Sequence, residues 1–228
     1  MNYPFLLFDA DDTLFDFPKA SARAFAVMCA KHSISNTPET YQIYHDINKV
    51  LWAAFDRGEV TKEYLTLERY VRFLKALGIS DQDPAQCNRD YLTALGESVF
   101  PLPHAEEVCR ELALRGHQLY IVTNAVASVQ RNRLDRSGFS RWFQGAFISE
   151  EAGASKPNKA YFDYVRTLLP EITPYNTLVI GDSLTTDIKG ANNAGLPCCW
   201  YNPTQKERPA DLHIDYEIRD LRELLEIV

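Results

Sequence analysis

The sequence lacks a long hydrophobic run. No window of its 228 residues approaches the roughly 18 uninterrupted apolar residues of a membrane-spanning helix. Its Met-Asn-Tyr-Pro start has no basic segment followed by an apolar stretch, which is the pattern of a secretory signal. Hydrophobic residues make up 46% of the chain and charged residues 24%, as in ordinary globular proteins. We therefore expect a cytoplasmic protein that has no membrane partner.

The sequence is also poor in positive charge and in paired metal ligands. Its formal net charge of −7 argues against a nucleic-acid polymer as partner, because proteins that bind such polymers usually carry a net basic patch. The five cysteines form no CxxC pair and the five histidines no HExxH motif, so neither a zinc site nor a disulfide framework is indicated. Reduced, buried thiols and a small anionic substrate are consistent with this composition.

Internal repeats are absent, and strand-like segments alternate with helix-like ones. This alternation predicts an α/β fold, a Rossmann-like three-layer core whose parallel sheet is covered by helices on both faces. After a first apolar strand that begins at Phe5, the predicted strands are Leu119–Thr123, Ala146–Ser149, Thr177–Gly181 and Pro197–Tyr201. The predicted helices of this core are Ala105–Leu114, Ala127–Ser137, Lys159–Leu169, Thr186–Ala194 and a closing segment, Asp220–Val228.

The stretch from residue 18 to residue 98 breaks the alternation. It has few β-branched runs, and helix-stopping residues occur at Ser33–Pro38, Arg57-Gly58 and Gly78–Pro84. We predict an all-helical insertion of four or five helices there, within a core formed by residues 1–17 and 99–228. Because the insertion begins just after the first strand, we expect it to form a cap over that strand's carboxyl end.

Three carboxylates stand directly after the first predicted strand, at Asp9, Asp11 and Asp12. Like charges this close raise one another's pKa values unless a cation lies among them. Hard carboxylate oxygens are the ligands that Mg²⁺ prefers, and one further carboxylate would remain for chemistry. The cluster therefore predicts a Mg²⁺-dependent site.

Other polar residues follow the remaining strands, and parallel strands end along one edge of their sheet. Thr123 and Asn124 follow the second strand and offer hydrogen bonds to a phosphate. Asp182 follows the fourth and is a candidate to complete the metal site with Asp9 and a main-chain carbonyl of Asp11, although a Gly-Asp-Ser sequence also suits a helix cap.

The predicted chemistry is phosphoryl transfer to a carboxylate. Asp9 can attack phosphorus and form an acyl phosphate, and Asp11, two residues on, can give and take the protons. Lys156 is the candidate cation for the phosphate, although a lysine before a proline is often only solvated. Asp187 can orient Lys156 or a water on the metal, or favour the following helix dipole.

In combination, four ordered motifs resemble the haloacid dehalogenase superfamily of phosphohydrolases along the whole chain. They are Asp9-Ala-Asp-Asp-Thr13, Thr123, Lys156-Pro157 and Gly181-Asp182-Ser-Leu-Thr-Thr-Asp187. The resemblance implies the roles of nucleophile for Asp9, acid/base for Asp11, phosphate binding for Thr123 and Lys156, and Mg²⁺ binding for Asp182. Dehalogenases of the superfamily lack the second acid, so Asp11 favours a phosphatase.

Further stretches are similar to the bacterial pyrimidine 5′-nucleotidases that act on noncanonical nucleotides. They are Phe8–Phe15, Ile47–Trp52, Arg133–Gly138, Ile148–Gly153 and Ser155–Asn158. Two departures from the family pattern bear on the site. Ala125 stands where relatives commonly have glycine, which would narrow the phosphate loop, and Asp12 replaces a glycine frequent in the wider superfamily.

The resemblance implies a nucleoside monophosphate as substrate, selected by the helical cap, in which Asn48, Lys49 and Trp52 are the candidate contacts. Trp52 also suits a core position in the cap, and Lys49 a solvated helix face. Alternative functions are a phosphoglycolate or sugar-phosphate phosphatase, a phosphoglucomutase, or a non-enzymatic module in which a phosphorylated aspartate signals or binds a partner. Nothing in the sequence indicates an oligomeric state.

Overall fold

The computed structural model describes residues 2–228. The chain separates into two compact units, one formed by the residues up to Phe17 together with Val99–Val228, and the other by Pro18–Ser98. Within the described residues, none of the helices has the length and apolarity to cross a bilayer.

The smaller unit consists of four helices, α1 to α4, within residues 17–96. Three of them begin at a residue whose side chain caps the helix: Thr37 accepts a hydrogen bond from Thr40 N–H at 3.2 Å, Thr61 accepts one from Tyr64 N–H, and Asp83 accepts one from Ala85 N–H. The helices are α1 (Phe17–Lys31), α2 (Pro38–Asp56), α3 (Lys62–Ala76) and α4 (Pro84–Gly96).

Aromatic residues fill the interior of this helical unit. The ring of Phe25 stacks on that of Tyr44 with centroids 4.7 Å apart, and Tyr44 stacks on Tyr70 at 5.6 Å. The guanidinium of Arg69 lies 4.6 Å from the ring centroid of Tyr91. Burial of these large rings, which pack the four helices together, is the main source of the unit's stability.

The larger unit is built on a parallel sheet of six strands in the order β3-β2-β1-β4-β5-β6. Its central strand β1 pairs with β2 on one side and with β4 on the other. The strands are β1 (Phe5–Phe8), β2 (Gln118–Thr123), β3 (Phe143–Ile148), β4 (Thr177–Gly181), β5 (Cys198–Tyr201) and β6 (Tyr216–Ile218).

Helices cover both faces of the sheet, and two hydrophobic clusters result. Leu6 and Phe8 of β1 belong to one cluster and Leu7 to the other, because successive side chains of a strand point to opposite faces. Both faces being buried explains the continuous apolar sequence of β1. The helices of this unit are α5 (Ala105–Leu114), α6 (Ala127–Ser137), α7 (Ser149–Ala152), α8 (Lys159–Leu168), α9 (Lys189–Ala194) and α10 (Leu224–Ile227).

The predicted α/β class with a Rossmann-like parallel sheet is confirmed. Several details differ from the sequence-based expectations. Strand β3 begins at Phe143 rather than Ala146 and ends at Ile148, and the short helix α7 was not predicted. The edge strand β6 was not predicted, and the segment predicted as a helix from Thr186 begins instead with a wide π-helical turn, Leu184–Ile188, ahead of α9. The closing segment consists of a 3₁₀ turn, Leu221–Glu223, followed by α10.

Candidate active site

Three neighbouring strands bring polar residues to one edge of the sheet. Asp9 follows β1, Thr123 ends β2 and Asp182 follows β4, and β2 and β4 lie on either side of β1. The N–H of Asp9 donates to the carbonyl of Ile180 at 2.8 Å, so the β1–β4 pairing continues one residue past β1. The carboxyl ends of these strands therefore form the candidate site, as the sequence predicts.

Lys156 joins two of the carboxylates at this edge. Its ammonium is 1% exposed and donates three hydrogen bonds of 2.7 Å, to Asp9 Oδ1, Asp187 Oδ1 and the carbonyl of Val122. Although burial alone would lower the pKa of Lys156, Asp187 and Asp9 hold it above its ordinary value. A lysine ammonium has three N–H donors, so all of them are engaged in fixing Asp9 against Asp187.

Both carboxylate oxygens of Asp187 accept hydrogen bonds. Oδ1 accepts from Lys156, and Oδ2 accepts the Ser183 N–H at 3.0 Å. The π-helical turn carries Asp187 back toward the end of β4, where its carboxylate packs directly against Gly181. Only glycine leaves room for it, because a Cβ at position 181 would overlap the Asp187 side chain.

Thr13 connects Asp9 and Asp182, the acidic residues that follow β1 and β4. Its buried hydroxyl accepts the Asp182 N–H at 3.1 Å and lies 3.4 Å from Asp9 Oδ2 and 3.5 Å from Asp182 Oδ1. Trp200 of β5 donates its indole N–H to the Asp182 carbonyl at 2.9 Å. The main chain of Asp182 is thus held from both sides, with its carboxylate oriented toward Asp9.

The charges of this cluster suit a divalent cation. Carboxylate oxygens of Asp9, Asp182 and Asp187 lie within 4.8 Å of one another, and Lys156 is the cation that pairs with two of them. Burial followed by Asp187 raises the pKa of Asp9 well above its usual range, and burial followed by Asp187 and Asp12 raises that of Asp182 to about 7. Such raised pKa values show that the neighbouring positive charge does not offset the burial and the mutual repulsion of these carboxylates. A bound cation would offset both.

The donor set fits Mg²⁺ better than a softer metal, because every candidate ligand atom is a carboxylate oxygen. Both oxygens of Asp187 accept hydrogen bonds, from Lys156 and from the Ser183 N–H, and Asp9 Oδ1 accepts one from Lys156. Asp9 Oδ2 and the carboxylate of Asp182 are therefore the groups that would hold the ion. The main-chain carbonyl of Asp11 stays a predicted third ligand, and Asp187 a predicted supporting residue.

Asp11 is held by an arginine that the sequence did not single out. Arg133 of α6 forms an ion pair through Nη1 with Asp11 Oδ1. The arginine side chain is 1% exposed, whereas that of Asp11 is 28% exposed. Asp11 therefore presents part of its carboxylate to solvent while the other part is anchored in the protein interior.

Side-chain hydrogen bonds organise the loop after β2. Thr123 donates its N–H to Tyr161 Oη at 3.0 Å, and Tyr161 in turn donates to the Phe147 carbonyl at 2.6 Å. The Asn124 amide accepts the Lys156 N–H at 2.9 Å and donates to the Lys156 carbonyl at 2.8 Å. Asn124, predicted to bind phosphate, thus uses its side chain to position the backbone of Lys156.

Asp12 adopts a positive φ of 61°, a backbone conformation that glycine adopts more easily than other residues. Its Oδ1 accepts the Phe17 N–H at 3.1 Å, so the side chain stabilises the turn that leads from β1 into α1. Burial and the neighbouring Asp11 carboxylate raise the pKa of Asp12 to about 6. A structural role for Asp12 is consistent with these contacts.

The three candidate specificity residues of α2 differ in accessibility. Asn48 is buried in the helical unit and accepts a hydrogen bond from Arg69 at 3.2 Å. Lys49 is exposed, and Trp52 is partly exposed with its ring against that of Phe55 at a centroid distance of 5.5 Å. Asn48 is thus engaged within its own unit, whereas Lys49 and Trp52 are accessible.

Sequence reasoning assigned no role to four residues that shape the site: Thr13, Arg133, Tyr161 and Gly181. Thr13, Arg133 and Gly181 lie in the stretches that carry the family resemblance, whereas Tyr161 does not. Arg133 left a signal, because Gln130 and Arg133 share a helical face with the apolar Val129 and Leu134, and all four are buried. Two polar side chains on the apolar face of a helix suggest that a polar group in the protein interior binds them. Tyr161 left no such signal, since an aromatic residue on a helix is most simply explained by core packing.

The sequence matches the family model described as haloacid dehalogenase-like hydrolase over residues 4–195. It is 39% identical over 227 residues to YfnB of Bacillus subtilis, a HAD-hydrolase by name, and the match covers 100% of this chain and 96% of that protein. The crystal structure of YfnB bound to magnesium matches with a TM-score of 0.92 and covers 100% of this chain and 99% of that chain.

Two further relatives are named pyrimidine 5′-nucleotidases. YjjG of Escherichia coli is 33% identical over 229 residues, which cover 100% of this chain and 99% of that protein. PynA of Streptococcus pneumoniae is 31% identical over 226 residues, which cover 99% of this chain and 95% of that protein. Both matches include the helical unit as well as the sheet, so the similarity extends beyond the core that carries the acidic cluster.

Proposed function

The chain belongs to the haloacid dehalogenase-like hydrolase family, and on this premise we propose that it is a Mg²⁺-dependent phosphomonoesterase that hydrolyses pyrimidine nucleoside 5′-monophosphates. The resemblance predicted from the ordered motifs is confirmed at the level of the family. The names of YjjG and PynA support the nucleotide substrate, and the magnesium-bound YfnB structure supports the metal.

One observation carries the proposal. The carboxylate of Asp9 is buried and held by Lys156 at 2.7 Å, and a second carboxylate, Asp11, stands two residues away and is partly exposed. A nucleophile needs a fixed orientation, and an acid/base needs access to the substrate and to water. The two carboxylates meet these different requirements.

In the proposed reaction, Asp9 attacks the phosphorus atom and the bond from phosphorus to the ester oxygen breaks. Asp11 gives its proton to the departing oxygen, and the phosphoryl group remains on Asp9 as an acyl phosphate. Water then attacks phosphorus, Asp11 takes a proton from it, and phosphate leaves with Asp9 restored. Mg²⁺, held by Asp9 and Asp182, would neutralise the negative charge of the phosphoryl oxygens.

The residues around Asp9 contribute orientation and charge in this proposal. Lys156 directs Asp9 Oδ1 and leaves Oδ2 on the side of Asp182. Asn124 fixes the backbone of Lys156, and the hydroxyl of Thr123 is proposed to donate to a phosphoryl oxygen. In the helical unit, Lys49 and Trp52 remain the proposed contacts for base or ribose, because their side chains are accessible.

A substrate panel tests the proposal. Initial rates would be measured with UMP, dUMP, dTMP, AMP, phosphoglycolate and hexose phosphates, with Mg²⁺ and after EDTA treatment. We expect kcat/KM for the pyrimidine nucleotides to exceed the other values at least about tenfold, which is roughly 1.4 kcal/mol of discrimination. Activity that is absent in EDTA should return on adding Mg²⁺. A preference for sugar phosphates would contradict the nucleotide assignment.

Asp9→Asn supplies the matched control for that panel. The variant keeps the shape of the side chain but removes the nucleophilic carboxylate, so hydrolysis of every substrate should fall by at least about 10³-fold. Asp163→Asn, an exposed position on α8, should leave the rates unchanged. Near-normal turnover by Asp9→Asn would refute the proposed nucleophile.

A further inference from the structure

Arg133 has the least favourable surroundings of the charged residues near the site. Its guanidinium is 1% exposed, lies 5.0 Å from the ring centroid of Phe15, and shares Nη1 between Asp11 and the Gln130 side-chain oxygen at 3.2 Å. Within residues 2–228, its Nε and Nη2 have no hydrogen-bond partner, and neither has the amide nitrogen of Gln130. Stability alone does not account for an arginine here, because a buried ion pair is often no more stabilising than apolar residues of similar volume.

Direct contact with a substrate does not account for Arg133 either. A residue that binds phosphate must present its N–H groups to the ligand, and this side chain is enclosed on all sides. The anionic group that it contacts is Asp11. Any effect of Arg133 on a reaction must therefore pass through that carboxylate.

The ion pair with Arg133 makes the two carboxylate oxygens of Asp11 different. Oδ1 is anchored by Arg133, whereas Oδ2 has no hydrogen bond within residues 2–228. Since the Asp11 side chain is 28% exposed while Arg133 is buried, Asp11 is accessible for proton exchange although Oδ1 is held by a buried group. Without such a partner, a carboxylate at the end of a strand would sample several rotamers.

We propose that Arg133 is a positioning residue that, oriented by Gln130, fixes Asp11 so that Oδ2 exchanges the proton with the ester oxygen and then with water. This role rests on the proposed phosphatase function, in which Asp11 is the acid/base. It adds an element from α6 to a site otherwise built at the ends of β1, β2 and β4. Phosphoryl transfer from esters with poor leaving groups should depend on it most, because those oxygens need a proton as they depart.

Single-turnover phosphorylation measures this dependence. The substrates would be a series of aryl phosphates, including p-nitrophenyl phosphate, and the alkyl phosphate that the wild-type enzyme hydrolyses fastest. With Arg133→Met, transfer from the alkyl ester should slow by about 10²-fold, within the usual contribution of acid–base catalysis. Transfer from p-nitrophenyl phosphate should slow less than about fivefold, because that leaving group departs without a proton. An equal loss for all leaving groups, or no loss, would overturn the proposal.

A double-variant cycle separates positioning from a general structural effect. If Arg133 acts only through Asp11, then Arg133→Met should cause less than about a twofold further loss in an Asp11→Asn background. A loss in that background as large as in wild type would contradict the role. Arg133→Lys keeps the positive charge and an N–H donor. Its rate with the alkyl ester should therefore be at least about tenfold higher than that of Arg133→Met. Equal rates of the two variants would count against an ion-pair contact.

Arg136→Met on the same helix is the surface control and should match wild type. If Arg133→Met does not fold, Gln130→Met is the second variant, because it removes the acceptor that orients Nη1 of Arg133. It should show the same dependence on the leaving group, with smaller losses. A Gln130→Met enzyme without that dependence would overturn the proposal. A wild-type enzyme inactive on every ester would refute the proposed function and this role with it. An active enzyme with a uniform loss in the variants would refute the positioning role alone.

Discussion

The carboxylate of Asp187 lies in the space that a side chain at Gly181 would occupy. Gly181 ends β4 directly before Asp182, and Asp187 holds Lys156 through Oδ1 and the Ser183 N–H through Oδ2. Gly181 takes no part in the chemistry itself. The space that it leaves nevertheless allows Asp187 to bind Lys156, the residue that orients Asp9.

Gly181→Ala should displace Asp187 and impair the site. Because the Asp187 side chain is fixed at both oxygens, it cannot move without losing at least one hydrogen bond. We expect kcat to fall about 10- to 100-fold and the free energy of unfolding to fall by about 1–3 kcal/mol. Steady-state kinetics and urea unfolding would measure the two effects.

Gly145→Ala in β3 is the control for that substitution, because a Cβ there would meet Tyr120 at 3.7 Å, an ordinary contact distance. Its activity should remain within about twofold of wild type. Wild-type turnover in Gly181→Ala would show that the position of Asp187 is unimportant for the reaction.

Lys156→Met should affect activity and stability together. The substitution removes the one ammonium that contacts both Asp9 and Asp187, and leaves two buried carboxylates without their partner. We expect turnover to fall at least about 10³-fold and stability to fall by about 3–5 kcal/mol, as for a broken buried ion pair. Chemical denaturation and initial rates measure these losses.

Lys159→Met provides the comparison for Lys156. Lys159 lies three residues later, is 59% exposed, and pairs with Asp163 on the surface of α8. Its loss should change stability by less than about 1 kcal/mol and leave turnover intact. Similar effects of the two substitutions would contradict the assignment of Lys156 to the site.

The differences between expectation and structure have physical causes that individual residues illustrate. Helical patterns closed by Gly116 and Gly138 predicted α5 and α6 at their observed bounds, since local pattern determines where such helices begin and end. The edge strand β6 has three residues, too few for a period to be recognised. The burial of Arg133 depends on how α6 packs against the segment after β1, where Asp11 and Phe15 lie, and this tertiary contact is not encoded in composition.

In the site, too, some residues could be predicted from the sequence and others could not. Asp9, Asp182 and Lys156 could be predicted because strand ends in a parallel sheet lie at one edge. The supporting contacts could not, because the Asn124 amide could equally have faced a ligand or the backbone of Lys156. Only the three-dimensional path of the loop after β2 brings that amide to the Lys156 main chain.

Mg²⁺ should stabilise the protein in a manner that depends on Asp182. The Asp182 carboxylate lies near Asp187 and Asp12, and its burial together with these neighbours raises its pKa to about 7. An ion that binds only the folded state stabilises it and raises the melting temperature. We expect Mg²⁺ at about 100 times its Kd to add about 2.7 kcal/mol to the wild-type protein. Asp182→Asn should largely abolish the increase.

Calorimetry without substrate would measure this effect independently of catalysis. Asp163→Asn should retain the full increase, and Ca²⁺ serves as a second ion to test selectivity, because Mg²⁺ favours a smaller octahedral site. Equal stabilisation of wild type and Asp182→Asn would place the ion elsewhere.

Asp90 should make the stability of the helical unit sensitive to acid. Its carboxylate accepts from Lys31 at 2.8 Å and from His32 at 3.0 Å. The hydrogen bond from Lys31, followed by weaker effects that include the bond from Gln86, lowers the pKa of Asp90 from 3.8 to about 2. A folded-state pKa below the unfolded value means that the contribution is complete above about pH 4 and is lost as the pH falls toward 2.

Because the Lys31 side chain is about half exposed, we expect Asp90→Asn to lower stability at pH 7 by only about 1 kcal/mol. The gap between wild type and variant in urea unfolding should be constant from pH 7 to about pH 5 and should narrow progressively toward pH 2. Asp46→Asn, at an exposed position of α2, is the control. A gap that persists undiminished at pH 2 would show that packing, rather than the ionised Asp90, connects α4 to the end of α1.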